Sequence, residues 1–129
     1  MKIALPLLLL LAACGDQSNG ELRLLDHLLR QDVETMPDGS RCYLFSHPGP
    51  LLLLAAGRSA IVRVDQRPRR LQLAGEAKGR ATFRADQIRI DILAVASGAR
   101  PPNDRPVEAR VQIGPTQSET ISGTWRCSE

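Results

Sequence analysis

From residue 41 onward the sequence predicts a mainly β domain: an antiparallel barrel or sandwich of seven or eight short strands, preceded by one short amphipathic helix. Three observations predict it. Apolar residues recur with period two over successive short segments, as they do where one face of a strand is buried and the other is wet. Pro- and Gly-containing turns separate those segments at the close spacing of antiparallel all-β folds. Two cysteines, Cys42 and Cys127, fall on the first and last of them.

The helix is expected over residues 21–36. Ser18 followed by Glu21 has the form of a capping box. Leu22, Leu25, Leu28 and Leu29 recur at helical spacing, with Leu24 widening the stripe and Arg23, Asp26, Arg30 and Gln31 elsewhere. Met36-Pro37-Asp38-Gly39 ends it. The stripe packs on the domain, or it lies on a membrane or a partner. A polar side poor in basic residues favours packing.

The strands follow in order. Cys42 and Leu44 alternate with Tyr43 and Phe45 until His47-Pro48-Gly49-Pro50 breaks the chain. Leu51 to Ala56 is an unbroken apolar run, short enough for a strand buried on both faces, with a helical turn as the alternative. After Gly57-Arg58-Ser59, Ala60, Val62 and Val64 alternate with Ile61, Arg63 and Asp65. Pro68 is placed in the next turn, and Leu71 and Leu73 alternate with Arg70 and Gln72. Gly75 to Gly79 turns the chain again, and Ala81, Phe83 and Ala85 alternate with polar neighbours. Asp86-Gln87 as a two-residue loop would pair 85 with 88 and keep Ile88, Ile90 and Ile92 on the same face as the preceding apolar set. Asp-Gln is not a favoured turn pair, so a longer loop stays open. Ser97 to Pro106 reads as a loop. Val107, Ala109, Val111 and Ile113 form a strand that Gly114-Pro115 turns, and Ile121, Gly123, Trp125 and Cys127 share one face of the last.

Charge and chemistry-bearing residues narrow the function classes. The chain has 17 basic and 14 acidic residues, a formal charge of +3, and only four aromatics. That leaves little for base stacking, so no nucleic-acid partner is expected. Arg63, Arg70, Arg80, Arg84 and Arg89 occupy polar strand positions and would gather on one side of the sheet, with Arg67, Arg69 and Lys78 in the turns. Such a face could meet anionic lipid, a glycan carboxylate or an acidic protein patch. The favoured alternative is a solvated surface whose charges are balanced by Asp65, Glu76, Asp86 and Asp91. The two histidines, His27 and His47, stand in no catalytic or metal-ligand spacing. Glu76, Asp86, Asp91 and Glu108 are the carboxylates available for paired acid–base work, and turn and surface carboxylates are more often simply solvated. No enzyme activity, cofactor or metal is expected.

The N-terminus carries a resemblance. Lys2, the apolar run Ile3 to Ala13 and then Leu11-Ala12-Ala13-Cys14 resemble the signal peptide and lipobox of bacterial lipoproteins. The apolar stretch suits a signal sequence and falls short of the ~18 residues that span a bilayer. The resemblance implies removal of residues 1–13, acylation of Cys14 and a lipid anchor. Gly15 after the cysteine implies the periplasmic face of the outer membrane, with Asp16 one place later pulling against that. Gly15 to Gly20 completes a flexible tether over residues 14–20. The mature chain would hold 116 residues, one domain's worth. With the lipid on Cys14, Cys42 and Cys127 remain as one pair in a compartment where disulfides persist. Two free thiols or a metal pair are the alternatives. Residues 40–129 are then a disulfide-closed β domain.

A second resemblance concerns architecture over residues 41–127. A small lipoprotein β-barrel joined by a disulfide looks like the membrane-bound inhibitors of c-type lysozyme. Their motifs are only partly matched: Ser97-Gly98-Ala99-Arg100 lacks the tyrosine, Lys78-Gly79-Arg80-Ala81 is one residue short, and the order is reversed. No inhibitory residue is carried over. The expected function is a lipid-anchored binding or scaffolding module of the cell envelope. An inhibitor or sensor of a cell-wall hydrolase is the alternative, with a hydrolytic enzyme third.

Overall fold

The structure, a computed structural model, describes residues 23–46, 49–95 and 104–128. The expected signal sequence, Cys14, the expected tether, the expected Ser18–Glu21 capping box, Leu22, His47 and residues 97–103 of the expected loop lie outside them.

Eight antiparallel strands close into a barrel in simple sequence order. They are β1 (Arg41–Ser46), β2 (Leu51–Ala56), β3 (Ser59–Val64), β4 (Arg67–Ala77), β5 (Arg80–Ala85), β6 (Ile88–Ala94), β7 (Asp104–Ile113) and β8 (Gln117–Ser128). Pairing of β1 with β8 closes the ring. In that register Cys42 stands directly opposite Cys127, and the two are disulfide-bonded. Alternate residues fill the interior: Leu44, Leu53, Val62, Leu71, Phe83, Ile90, Ala109 and Val111 belong to one core. At eight strands a barrel is just wide enough for such side chains to fill it.

The turns are tight. Asp65 and Gln66 both have positive φ, 51° and 65°, as a two-residue hairpin with the twist of its strands requires. Asp65 is therefore turn rather than strand. Asp86-Gln87 makes the expected two-residue link, with Ala85 paired to Ile88 and Gln87 at φ 68°. Two prolines assigned to loops are in strands. Pro68 stands opposite Arg63 and beyond the last β4–β5 pair, Gln72 with Arg84, so no β5 residue awaits its missing N–H. Pro106 stands opposite Thr124, beyond the β6–β7 pair of Ala94 with Val107.

The expected helix over 21–36 is corrected. Only Arg30–Glu34 is helical (α1), and residues 23–29 are not. The barrel explains this. The β2–β3 ladder has three pairs, Leu54–Ile61 to Ala56–Ser59, and then the strands part. Into that gap runs the N-terminal segment, with Asp26 N–H donating to Arg63 O (2.8 Å) and Leu28 N–H to Leu51 O (2.9 Å). A helix would spend those donors on itself and leave two strand carbonyls without these partners. Leu24 and Leu25, adjacent in sequence, both enter the barrel core. Leu28 and Met36 instead cover the outer face of β2 and β3, against Leu54, Ala56 and Ile61. This is why Leu51–Ala56 is a strand buried on both faces. The N-terminal segment is a strap.

The two barrel ends consequently differ. At one, Leu24 and Leu25 pack beneath the 65–66, 86–87 and 114–116 turns, and Leu24 N–H donates to Glu119 Oε1 at 2.8 Å. That end is sealed. The other carries the β2–β3 and β4–β5 turns and the disulfide.

Candidate functional site

At the disulfide end the inward positions become small. Ala81 on β5 and Ala94 on β6 occupy places that Phe83, Ile90 and Ile92 fill deeper in the barrel. The result is a hollow of about 160 Å³, with Trp125, Val107, Ile92 and Ala81 as its apolar lining. Arg105 and Glu76 reach its rim. Arg105 shares the inward phase of Val107, Ala109 and Val111, and a bulge between Leu73 and Gly75 brings Glu76 opposite inward-facing Ala81. Neither side chain forms a hydrogen bond or ion pair among the described residues. Trp125 packs against the core beside Leu44, two residues from Cys127 on the same face, as the period-two pattern implied.

The five arginines do share the outer face, since each alternates with core residues, but they are not one free surface. Arg63 is nearly buried and holds Asp32 through Nε (2.9 Å). Arg70 donates to Thr35 O on the strap at 3.3 Å. Arg80 and Arg89 flank Asp91 at 3.8 and 3.1 Å. Arg84 makes no polar contact among the described residues, and it stands directly opposite Arg89 across the β5–β6 hairpin. Arg69, expected in a turn, lies in β4 and donates to Asp86 O. Charge at polar strand positions was legible in the sequence. The partners that consume it come from the strap and from neighbouring strands.

The candidate carboxylates do not converge. Asp91 is buried on the outer face: burial raises its pKa, but the Thr82 hydroxyl, the Arg89 guanidinium and the charge of Arg80 outweigh that and hold it below the usual range. A carboxylate so held is a poor proton shuttle near neutral pH. Glu108 pairs with Arg110 at 3.3 Å, Asp86 sits in a turn at the sealed end, and Glu76 faces the hollow alone. His27 is exposed on the strap. Among the described residues no three His, Cys, Asp or Glu side chains gather as a metal site would need.

Fold and site together define a small up-and-down β-barrel with a filled interior, one sealed end and one hollowed end. No family description, curated protein or solved structure matches the chain.

Proposed function

We propose that this is a lipid-anchored binding module of the bacterial envelope, tethered through Cys14 at the periplasmic face of the outer membrane, that binds rather than catalyses. The observation carrying the reading is the polarity of the barrel. The chain arrives from the tether at the sealed end, where Leu24 meets Glu119. Only eight residues stand between Cys14 and Arg23, a short connection between anchor and barrel. The sealed end is thus held towards the membrane, and the hollow with Trp125 is presented to the periplasm. Arg84 beside Arg89 is what the outer face keeps for anionic lipid, glycan or an acidic envelope protein.

Two measurements test this. Labelled palmitate should enter the wild-type chain and not Cys14→Ser, and the variant should leave the membrane fraction. Trp125, the only tryptophan, should change its emission when the mature protein is titrated with solubilised envelope components. Label on the Cys14→Ser chain would end the anchor reading, and an unresponsive Trp125 with every component would end the binding one.

A further inference from the structure

We infer that the hollow at the disulfide end is a binding site for a small apolar carboxylate, or for the carboxylate-bearing end of a larger molecule, with Arg105 as the residue that holds the acid. This rests on the binding-module reading and specifies its ligand.

Size sets the apolar part. A volume of about 160 Å³ is close to the ~150 Å³ known to accept one benzene molecule. It is below the several hundred Å³ of sites that enclose larger ligands. One aromatic ring or a short alkyl chain fills it, in contact with Trp125, Val107, Ile92 and Ala81.

Charge sets the polar part. A barrel interior otherwise lined by apolar side chains has no packing use for a guanidinium at an inward position, yet Arg105 continues the series Val111, Ala109, Val107 outward to the rim. It stands opposite Trp125 across β7–β8. Its planar fork is suited to a carboxylate in a way an ammonium is not. Arg80, also at the rim, is shared with Asp91 on the outer face, which leaves Arg105 as the uncommitted cation among the described lining residues. Glu76 lies on β4, three strands away around the rim. Its like charge steers an anionic head away from β4 and towards Arg105. Apolar floor, free cation on one side and free anion on the other make a site with a direction.

The mature protein titrated with benzoate, benzyl alcohol and benzylamine, read by Trp125 emission and by chemical-shift changes at Ala81 and Val107, tests the inference. Benzoate should bind best, and Arg105→Gln should weaken it roughly ten-fold or more, as loss of a charge-assisted hydrogen bond does, while leaving benzyl alcohol unchanged. Glu76→Gln should strengthen benzoate. Ala81→Leu should fill the hollow and block all three. Because Arg105 is exposed, its variant keeps the test informative if Ala81→Leu does not fold. Equal affinity for benzoate and benzyl alcohol, or indifference to Arg105→Gln, would overturn the assignment. A Trp125 response to envelope components without any response to benzoate would retain the binding module and reject this ligand class. Palmitate labelling reports the anchor independently.

Discussion

Asp32 and Arg63, 31 residues apart, form a two-point ion pair that fastens the strap to the barrel wall: Nε to Oδ2 at 2.9 Å and the second guanidinium nitrogen to Oδ1 at 3.2 Å. Asp32 Oδ2 also accepts Leu29 N–H at 2.8 Å, so one carboxylate both starts the helical turn and docks it. Its side chain is 2 % exposed and that of Arg63 11 %. An ion so placed depends on its partner.

Asp32→Asn should destabilise the protein at pH 7, and Asp32→Ala by up to about 3 kcal/mol, the lower end of the cost of breaking a buried pair. The hydrogen bond from Arg63 is the main reason that the Asp32 pKa lies below its usual value, against the opposing effect of burial. A depressed carboxylate stabilises the fold fully above its unfolded pKa, and this is lost as pH falls through the folded one. Urea melts of wild type and Asp32→Asn should therefore converge as pH drops below about 4. A gap that stayed constant from pH 7 to pH 3 would contradict the assignment.

Leu25→Ala should remove the plug from the sealed end. Leu25 is 1 % exposed within the barrel core, and a truncation of that kind costs about 2–5 kcal/mol. Faster amide exchange should appear at Arg63 and Val64, which the strap covers, before it appears in β6 and β7. Uniform exchange across the barrel would show that the plug has no local role.

Gly123→Ala tests the closure of the ring. A Cβ there would lie 2.5 Å from the backbone oxygen of Phe45 and 3.1 Å from Leu44 Cδ1. The obstacle is mostly main chain, so β1 and β8 must separate. A loss of about 1–3 kcal/mol is expected, in the range of overpacked cores. A variant as stable as wild type would mean that the seam yields freely.

The Cys42–Cys127 bond closes a span of 85 residues. Cys127→Ala should cost about 2–5 kcal/mol, the usual effect of losing a bridge from a small secreted domain. Mass spectrometry of the unreduced protein should find the two peptides joined, and free thiols in protein purified without reductant would refute it.

Of the five outer-face arginines, Arg84 is the one whose side chain has no polar contact among the described residues, and it is set opposite a like charge. Co-sedimentation with anionic vesicles should be weak, should fall as salt is raised, and should fall again in Arg84→Gln, because exposed charges are screened beyond ~8 Å at physiological ionic strength. Arg63→Gln should instead act through stability. Equal sedimentation with neutral vesicles would leave Arg84 a solvated side chain.

Most of the inward set and some of the turns were written locally. Period two in Ala81–Ala85 and Ile88–Ile92, and the Asp86-Gln87 link between them, are properties of neighbouring residues, and the barrel uses them as they read. The apolar run Leu51–Ala56 likewise announced burial on both faces, and Cys42 and Cys127 announced that the first and last strands meet. Tertiary structure decided the rest. Leucines at 24, 25 and 28 satisfy a helical period, but whether 23–29 coils depends on two carbonyls, of Arg63 and Leu51, that are left open only once β2 and β3 diverge. Pro68 and Pro106 read as loop because the sequence does not show that the strand beside each ends before reaching it. Arg63 reads as a surface charge until Asp32 is brought to it, and Arg105 reads as one more polar residue until its strand takes its place in the ring and turns it inward. Periodicity is carried by bonds between neighbours in the chain, whereas charge pairing and cavity shape are carried by residues that only closure of the barrel makes neighbours.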